Sequence, residues 1–219
     1  VIFVWTHDAF RVGEDGPTHQ PVEQEAQIRL MEKLQNHSGR NSMLVLRPAD
    51  ANEATVAWKL ALENNNSPTG LIFSRQNIKD LPAEESRYEE ALQASKGAYI
   101  VKDEADYDVI LLASGSEVAT LVEGAELLKA DGIKTRIVSV PSEGLFRAQS
   151  KEYQDSVLPR GKKKFGMTAG LPVTLEGLVG SDGEVWGMNS FGFSAPYTVL
   201  DEKLGFNGKN VYEQVKKLI

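Results

Sequence analysis

Residues 42–74 decide the fold: Ser42-Met-Leu-Val-Leu-Arg47, Pro48-Ala-Asp-Ala-Asn52 and the run on to Leu62, the polar break Glu63 to Pro68, then Thr69-Gly-Leu-Ile-Phe-Ser74. Ser42 to Arg47 is short and apolar enough for a buried strand. Asp50 is a good N-cap for a helix running to Leu62. Glu63 to Pro68 ends that helix, and Thr69 to Ser74 is a second short strand. A strand, a helix and a strand of this kind predict an α/β unit with a parallel sheet. Arg75-Gln-Asn77 then places polar side chains where a parallel strand would end, the edge at which open α/β sheets keep their ligands.

The same alternation extends in both directions. Upstream, Val1 to Trp5 is a continuously apolar strand that calls for neighbours on both sides, so the chain is expected to be the carboxyl part of a longer polypeptide or a piece cut from one. Gln20 to Asn36 predicts a helix whose buried face carries Val22, Ile28, Met31 and Leu34. Asn36 to Asn41 reads as a polar turn. Downstream, Ile78 to Lys96 is polar and acidic, a linker or a solvated helix, and a domain boundary is expected near residue 90. Beyond it come strands at Tyr107 to Ala113, Lys134 to Val140, Lys164 to Met167 and Glu184 to Met188. A helix runs from the Ser114-Gly-Ser-Glu117 turn to Ala130, and two more close the chain, one signalled by Ser194-Ala-Pro196 and one over Val211 to Ile219. The expected fold class is α/β: two three-layer domains with parallel sheets, residues 1–90 and 91–219, the first incomplete at its N-terminus.

Composition narrows the function. The chain has 219 residues, 41% hydrophobic and 25% charged, with a formal net charge of −7, which excludes a disordered or collagenous chain. No run of eighteen apolar residues suggests a membrane span, and no basic n-region or cleavage site suggests a signal peptide. Lys162-Lys163-Lys164 is the one basic run, too short for a phosphate-tracking surface, so neither nucleic acid nor membrane is an expected partner. With no cysteine, disulfides, zinc-thiolate sites and thiol nucleophiles are excluded, and a reducing, cytoplasmic location fits.

The densest polar cluster is Thr6 to Gln20. His7 at a strand tip and His19 before a helix could bind an anion or shuttle protons. The competing reading has His7 and Asp8 satisfying backbone groups, Gly13, Gly16 and Pro17 setting a turn, and His19 as a surface residue. The spacing of His7 and His19 argues against a metal site. Arg75 either clamps an anion beside His7 or forms a surface ion pair. Ser114 or Ser116 is expected to cap the following helix.

Taken together, Thr6-His-Asp8, Gly13-Glu-Asp-Gly-Pro-Thr-His-Gln-Pro-Val-Glu-Gln24, Arg47-Pro-Ala-Asp50, Ser74-Arg-Gln-Asn77, Ala113-Ser-Gly-Ser-Glu-Val118, Ser156-Val-Leu-Pro159 and Phe191-Gly-Phe-Ser-Ala-Pro196 resemble the carboxyl-terminal part of the transketolases. The resemblance implies that residues 1–90 are the second half of a pyrimidine-binding domain and that the rest is the C-terminal domain. It implies transfer of a two-carbon ketol unit from a ketose phosphate to an aldose phosphate in the pentose phosphate pathway. The cofactors would be thiamine diphosphate and Mg (or Ca), held mainly by residues outside this chain. By the same resemblance His7 and Arg75 would bind substrate phosphate, Asp15 would accept hydrogen bonds from substrate hydroxyls, and His19 would bind substrate and assist proton transfer as the catalytic residue. The implied partners are sugar phosphates, the missing amino-terminal part and a second subunit of a homodimer. The isolated chain is expected to be inactive, and the C-terminal domain structural. Two departures stand out: Glu32 to Ser42 is longer than the family pattern, and Met167-Thr-Ala-Gly170 lacks an acidic residue before Ala-Gly. Dihydroxyacetone synthase, deoxyxylulose-phosphate synthase and a non-catalytic assembly or regulatory module are the alternatives.

Overall fold

The computed structural model describes all residues from Val1 to Ile219. The deciding stretch folds as its pattern dictates. Strand β2 (Leu44–Leu46) leads into helix α2 (Ala51–Glu63), and α2 returns the chain to β3 (Thr69–Ile72), which lies parallel to β2. The Asp50 carboxylate accepts from the Glu53 amide and caps α2. Strand β1 (Ile2–Trp5) pairs parallel to the other side of β3, giving the order β1-β3-β2. On the α2 face, Leu46 and Leu71 pack with Ala57 and Ala61, while Met43, Val45 and Ile72 face the opposite side. β1 has no neighbour on its outer edge, and Phe3 and Val4 are exposed there rather than buried as the apolar run implies.

The second sheet has five strands: β4 (Tyr99–Asp103), β5 (Val109–Ala113), β6 (Thr135–Ser139), β7 (Lys163–Met167) and β8 (Glu184–Trp186), in the order β4-β6-β5-β7-β8. All pairings are parallel except that of β4, an antiparallel edge strand that the sequence pattern did not reveal. Along β5 the side chains alternate between two cores, as the two-residue period of a strand requires. Val109, Leu111 and Ala113 join helices α4 (Glu117–Ala130) and α9 (Gly208–Leu218) on one face. Ile110 and Leu112 join α5 (Glu143–Arg147), α6 (Lys151–Val157) and α7 (Val173–Val179) on the other. Both faces are covered, so this unit is a three-layer α/β sandwich. No helix is long and apolar enough to cross a membrane.

The loops of the first unit share a core with the second sheet. Ala9, Phe10, Val22, Ala49 and Leu81 belong to the same apolar cluster as β5, α4 and α9. The polar stretch read as a linker also has an apolar side. It contains α3 (Arg87–Ala91), started by the Ser86 side chain, and Ala91 and Ala94 are buried with Val56 and Tyr99. Arg87 donates to the Asp50 carboxylate at 2.6 Å and to the Tyr99 hydroxyl at 2.6 Å, tying the stretch to α2.

One helix departs from expectation in length and in face. α1 spans only Gln24–Leu30, and its buried side chains are Glu25 and Arg29, with Glu32 just beyond. Met31 and Leu34, expected in the core, are exposed. The hydrophobic period located a helix, but ion pairs decide which side of it faces inward. Arg29 bridges Glu25 at 2.9 Å and Glu32 at 3.2 Å and reaches the Ser114 hydroxyl at 2.9 Å.

Candidate functional site

The Thr6–Gln20 loop leaves the carboxyl end of β1 and is pinned by its own apolar residues. Phe10 is fully buried, its ring 4.6 Å from that of Phe206, centroid to centroid. Gly13 and Gly16 take φ of +91° and +80°, the turn geometry expected of them. Two short 3₁₀ turns, Phe10–Val12 and Pro17–His19, fold the loop back toward α1.

On this frame the polar groups face outward. His7, Asp15 and His19 are exposed, and neither Asp15 nor Arg75 forms an ion pair. Each histidine follows a threonine whose hydroxyl meets its Nδ1, at 2.8 Å from Thr6 to His7 and 2.9 Å from Thr18 to His19. Nδ1 is thereby engaged and Nε2 is left uncommitted, the arrangement that orients an imidazole for binding or proton transfer. The repeated Thr-His dipeptide is the sequence signal for this device.

His19 lines a pocket of about 580 Å³ with Pro17, Thr18, Gln20, Pro21, Glu23, Gln24 and Phe191. His7 lines a recess of about 40 Å³ with Trp5, Ala9, Glu25 and Ile72, and Pro21 and Gln24 form part of both walls. The structure therefore sets the two histidines on either side of Pro21 and Gln24. Asp15 and Arg75 line neither space. Arg75 leaves the sheet at the same edge as His7, because β1 and β3 are parallel, with Trp5 opposite Ile72, and the Phe73 amide donates to the Trp5 carbonyl.

Phe191 was not expected at the site. It comes from the second unit, whose segment 191–195 lies over the loop. Gln20 donates to the Gly13 carbonyl at 2.9 Å and to the Phe193 carbonyl at 2.8 Å, and the Ser194 hydroxyl donates to the Glu14 carbonyl at 2.6 Å. Ser194 is thus not the start of α8 (Tyr197–Leu204), which begins after Pro196 without a side-chain cap. The Phe191-Gly-Phe-Ser-Ala-Pro196 motif marked this segment in the sequence without revealing its place.

Beneath the loop lies a buried charge network. Arg47 is 1% exposed; its Nε donates to Asp8 at 2.7 Å and its Nη1 to Glu117 at 2.5 Å and to the Ser114 carbonyl. Arg11 donates to the other Glu117 oxygen at 2.7 Å, to Ser116 at 3.0 Å and to Asp201 at 2.7 Å. Burial pushes the Asp8 carboxyl up, against the Arg47 charge, with Glu117 adding to the rise. Burial acts in the same sense on Glu117, but Arg47 and Arg11 outweigh it and hold that carboxyl below its ordinary range. Neither Ser114 nor Ser116 caps α4 through its side chain, contrary to expectation, because both hydroxyls are drawn into this network.

Models of two domains match the chain: the transketolase pyrimidine-binding domain over residues 1–80 and the transketolase-like C-terminal domain over residues 97–207. The chain belongs to the transketolase family. It is 42% identical over 218 residues to a transketolase of Staphylococcus epidermidis, covering 99% of this chain and 31% of that protein. The solved structure of the transketolase from Leishmania mexicana superposes with a TM-score of 0.86 at 38% identity, over all of this chain and 30% of that one. A Pichia stipitis transketolase in complex with sedoheptulose-7-phosphate gives 0.84 at 34% identity, over 98% of this chain and 30% of that one. The chain spans about 31% of the length of the curated relatives it matches.

Proposed function

We propose that this chain acts as the carboxyl-terminal part of a transketolase, transferring a two-carbon ketol unit from a ketose phosphate to an aldose phosphate in the pentose phosphate pathway. The observation that carries the reading is the pair of exposed imidazoles, His7 and His19, each with Nδ1 engaged by the preceding threonine and Nε2 free at the carboxyl edge of a parallel sheet. His7 and Arg75 bind the substrate phosphate, since imidazole and guanidinium both donate to phosphate oxygens. Asp15 accepts hydrogen bonds from substrate hydroxyls. His19 holds and moves a proton at Nε2. The sedoheptulose-7-phosphate complex of the Pichia stipitis enzyme supports a sugar phosphate as the ligand class.

Thiamine diphosphate, when bound, supplies the carbanion chemistry of such a reaction. The residues present fit a place beside that cofactor, not a cradle around it. The pocket at His19 has Phe191 as its one large apolar side chain, and no three His, Asp or Glu converge where a metal could sit. We therefore assign the groups that hold the diphosphate and Mg to residues outside these 219, with residues 1–90 completing a pyrimidine-binding domain and 91–219 forming the C-terminal domain. A cytoplasmic homodimer is the assembly this reading implies.

Replacing Arg75 with Ala in the full-length enzyme tests the reading. The expected result is a KM for xylulose-5-phosphate raised about 30-fold, with a much smaller change for unphosphorylated xylulose. Equal loss on both donors would count against the phosphate assignment.

A further inference from the structure

Arg75 sits in a segment that almost nothing holds. From Ser74 to Asp80 no backbone group bonds to another backbone group, the ladder having ended where the Phe73 amide donates to Trp5. One hydrogen bond alone ties the segment down, from Gln76 Nε2 to the Ser116 hydroxyl at 3.0 Å. Ser116 itself is fixed: it is buried, accepts from Arg11 at 3.0 Å and donates to Glu117 at 2.9 Å, at the start of α4. The residue next to the exposed guanidinium is thus anchored to the second unit, and a side chain positioned by a single neighbour depends on that neighbour for its geometry.

We infer that Gln76 is a positioning residue through which Ser116 of the C-terminal unit sets Arg75 for substrate phosphate. The inference rests on the phosphate role proposed above for Arg75, and it gives the second unit a part in substrate selection beyond a structural one. His19 has a parallel arrangement, since its neighbour Gln20 is tied to the Phe193 carbonyl. In Arg75's case, however, the tie is the segment's only hydrogen bond.

The test is made in the full-length holoenzyme with xylulose-5-phosphate and unphosphorylated xylulose as donors. Gln76→Ala and Ser116→Ala are each expected to lower the phosphorylated-over-unphosphorylated ratio of kcat/KM about fivefold, through KM and not kcat. The double variant is expected to lose no more than either single one, and Ser116→Thr, which keeps the hydroxyl, to retain the preference. Ser116→Ala breaks the same bond from the other side should Gln76→Ala fail to fold. A fall in kcat shared equally by both donors would mean a merely structural role and would overturn the inference. So would an unchanged ratio in both variants while Arg75→Ala abolishes the preference, a result that leaves the Arg75 assignment standing. If Arg75→Ala itself leaves the preference intact, the assignment falls and the inference with it.

Discussion

Arg47, at the carboxyl end of β2, donates to Glu117 at 2.5 Å across the seam between the two sheets, and both side chains are buried. Glu117 is shared with Arg11 from the histidine-bearing loop, so one carboxylate joins that loop, the first sheet and the N-terminus of α4. Removing one member of such a group strands the others without compensation.

Glu117→Gln is therefore expected to cost about 3 kcal/mol at neutral pH, measured by urea denaturation. The sign with pH follows from the depressed carboxyl of Glu117. A group lowered on folding contributes stability above its unfolded value of 4.5 and loses it as pH falls through the folded value. The gap between parent and variant should be full at pH 7 and shrink in acid below 4.5. A gap that grows on acidification would contradict the assignment.

Gly115→Ala attacks the same network from the backbone. Gly115 has φ +71°, and a Cβ there would lie 2.6 Å from the Arg47 guanidinium. Left-handed strain and displacement of Arg47 together predict a loss of about 2–4 kcal/mol, read from the denaturation midpoint.

Asp50 serves three partners with its two oxygens. One accepts from the Glu53 amide at the start of α2, and the other accepts from the Leu81 amide at 3.0 Å and from Arg87 at 2.6 Å. Asp50→Ala is expected to cost about 2–3 kcal/mol in thermal or urea unfolding, and Asp50→Asn, which keeps the cap, about half as much.

What could be read from the sequence follows from which forces act locally. The β2-α2-β3 unit, the Asp50 cap, α4 and the strands β5, β6 and β7 are carried by apolar runs and capping residues close in sequence. α1 is not: its inward face is Glu25 and Arg29, whose partners Arg47, Glu32 and Ser114 are mostly distant, so apolar period alone misplaces its core. Strand β4 escaped notice because only Tyr99 of its residues is fully buried and its only partner, β6, is remote in sequence. The four candidate groups lay on recognisable motifs. Phe191 and the anchors Gln20 and Gln76 lie on the same motifs, but their roles could not be read there, because their contacts cross between the two units.

His19→Ala in the full-length enzyme is expected to reduce kcat about 100-fold while moving KM less, as loss of a proton-transfer group does. Steady-state turnover of xylulose-5-phosphate with ribose-5-phosphate measures both. A change confined to KM would make His19 a binding group only.

The most direct test of the account is ketol transfer from xylulose-5-phosphate to ribose-5-phosphate, with thiamine diphosphate and Mg, by this chain alone and by this chain combined with the amino-terminal portion of the enzyme. Activity that appears only in the combination is the predicted result. No activity in the combination, with both parts folded and associated, would contradict it.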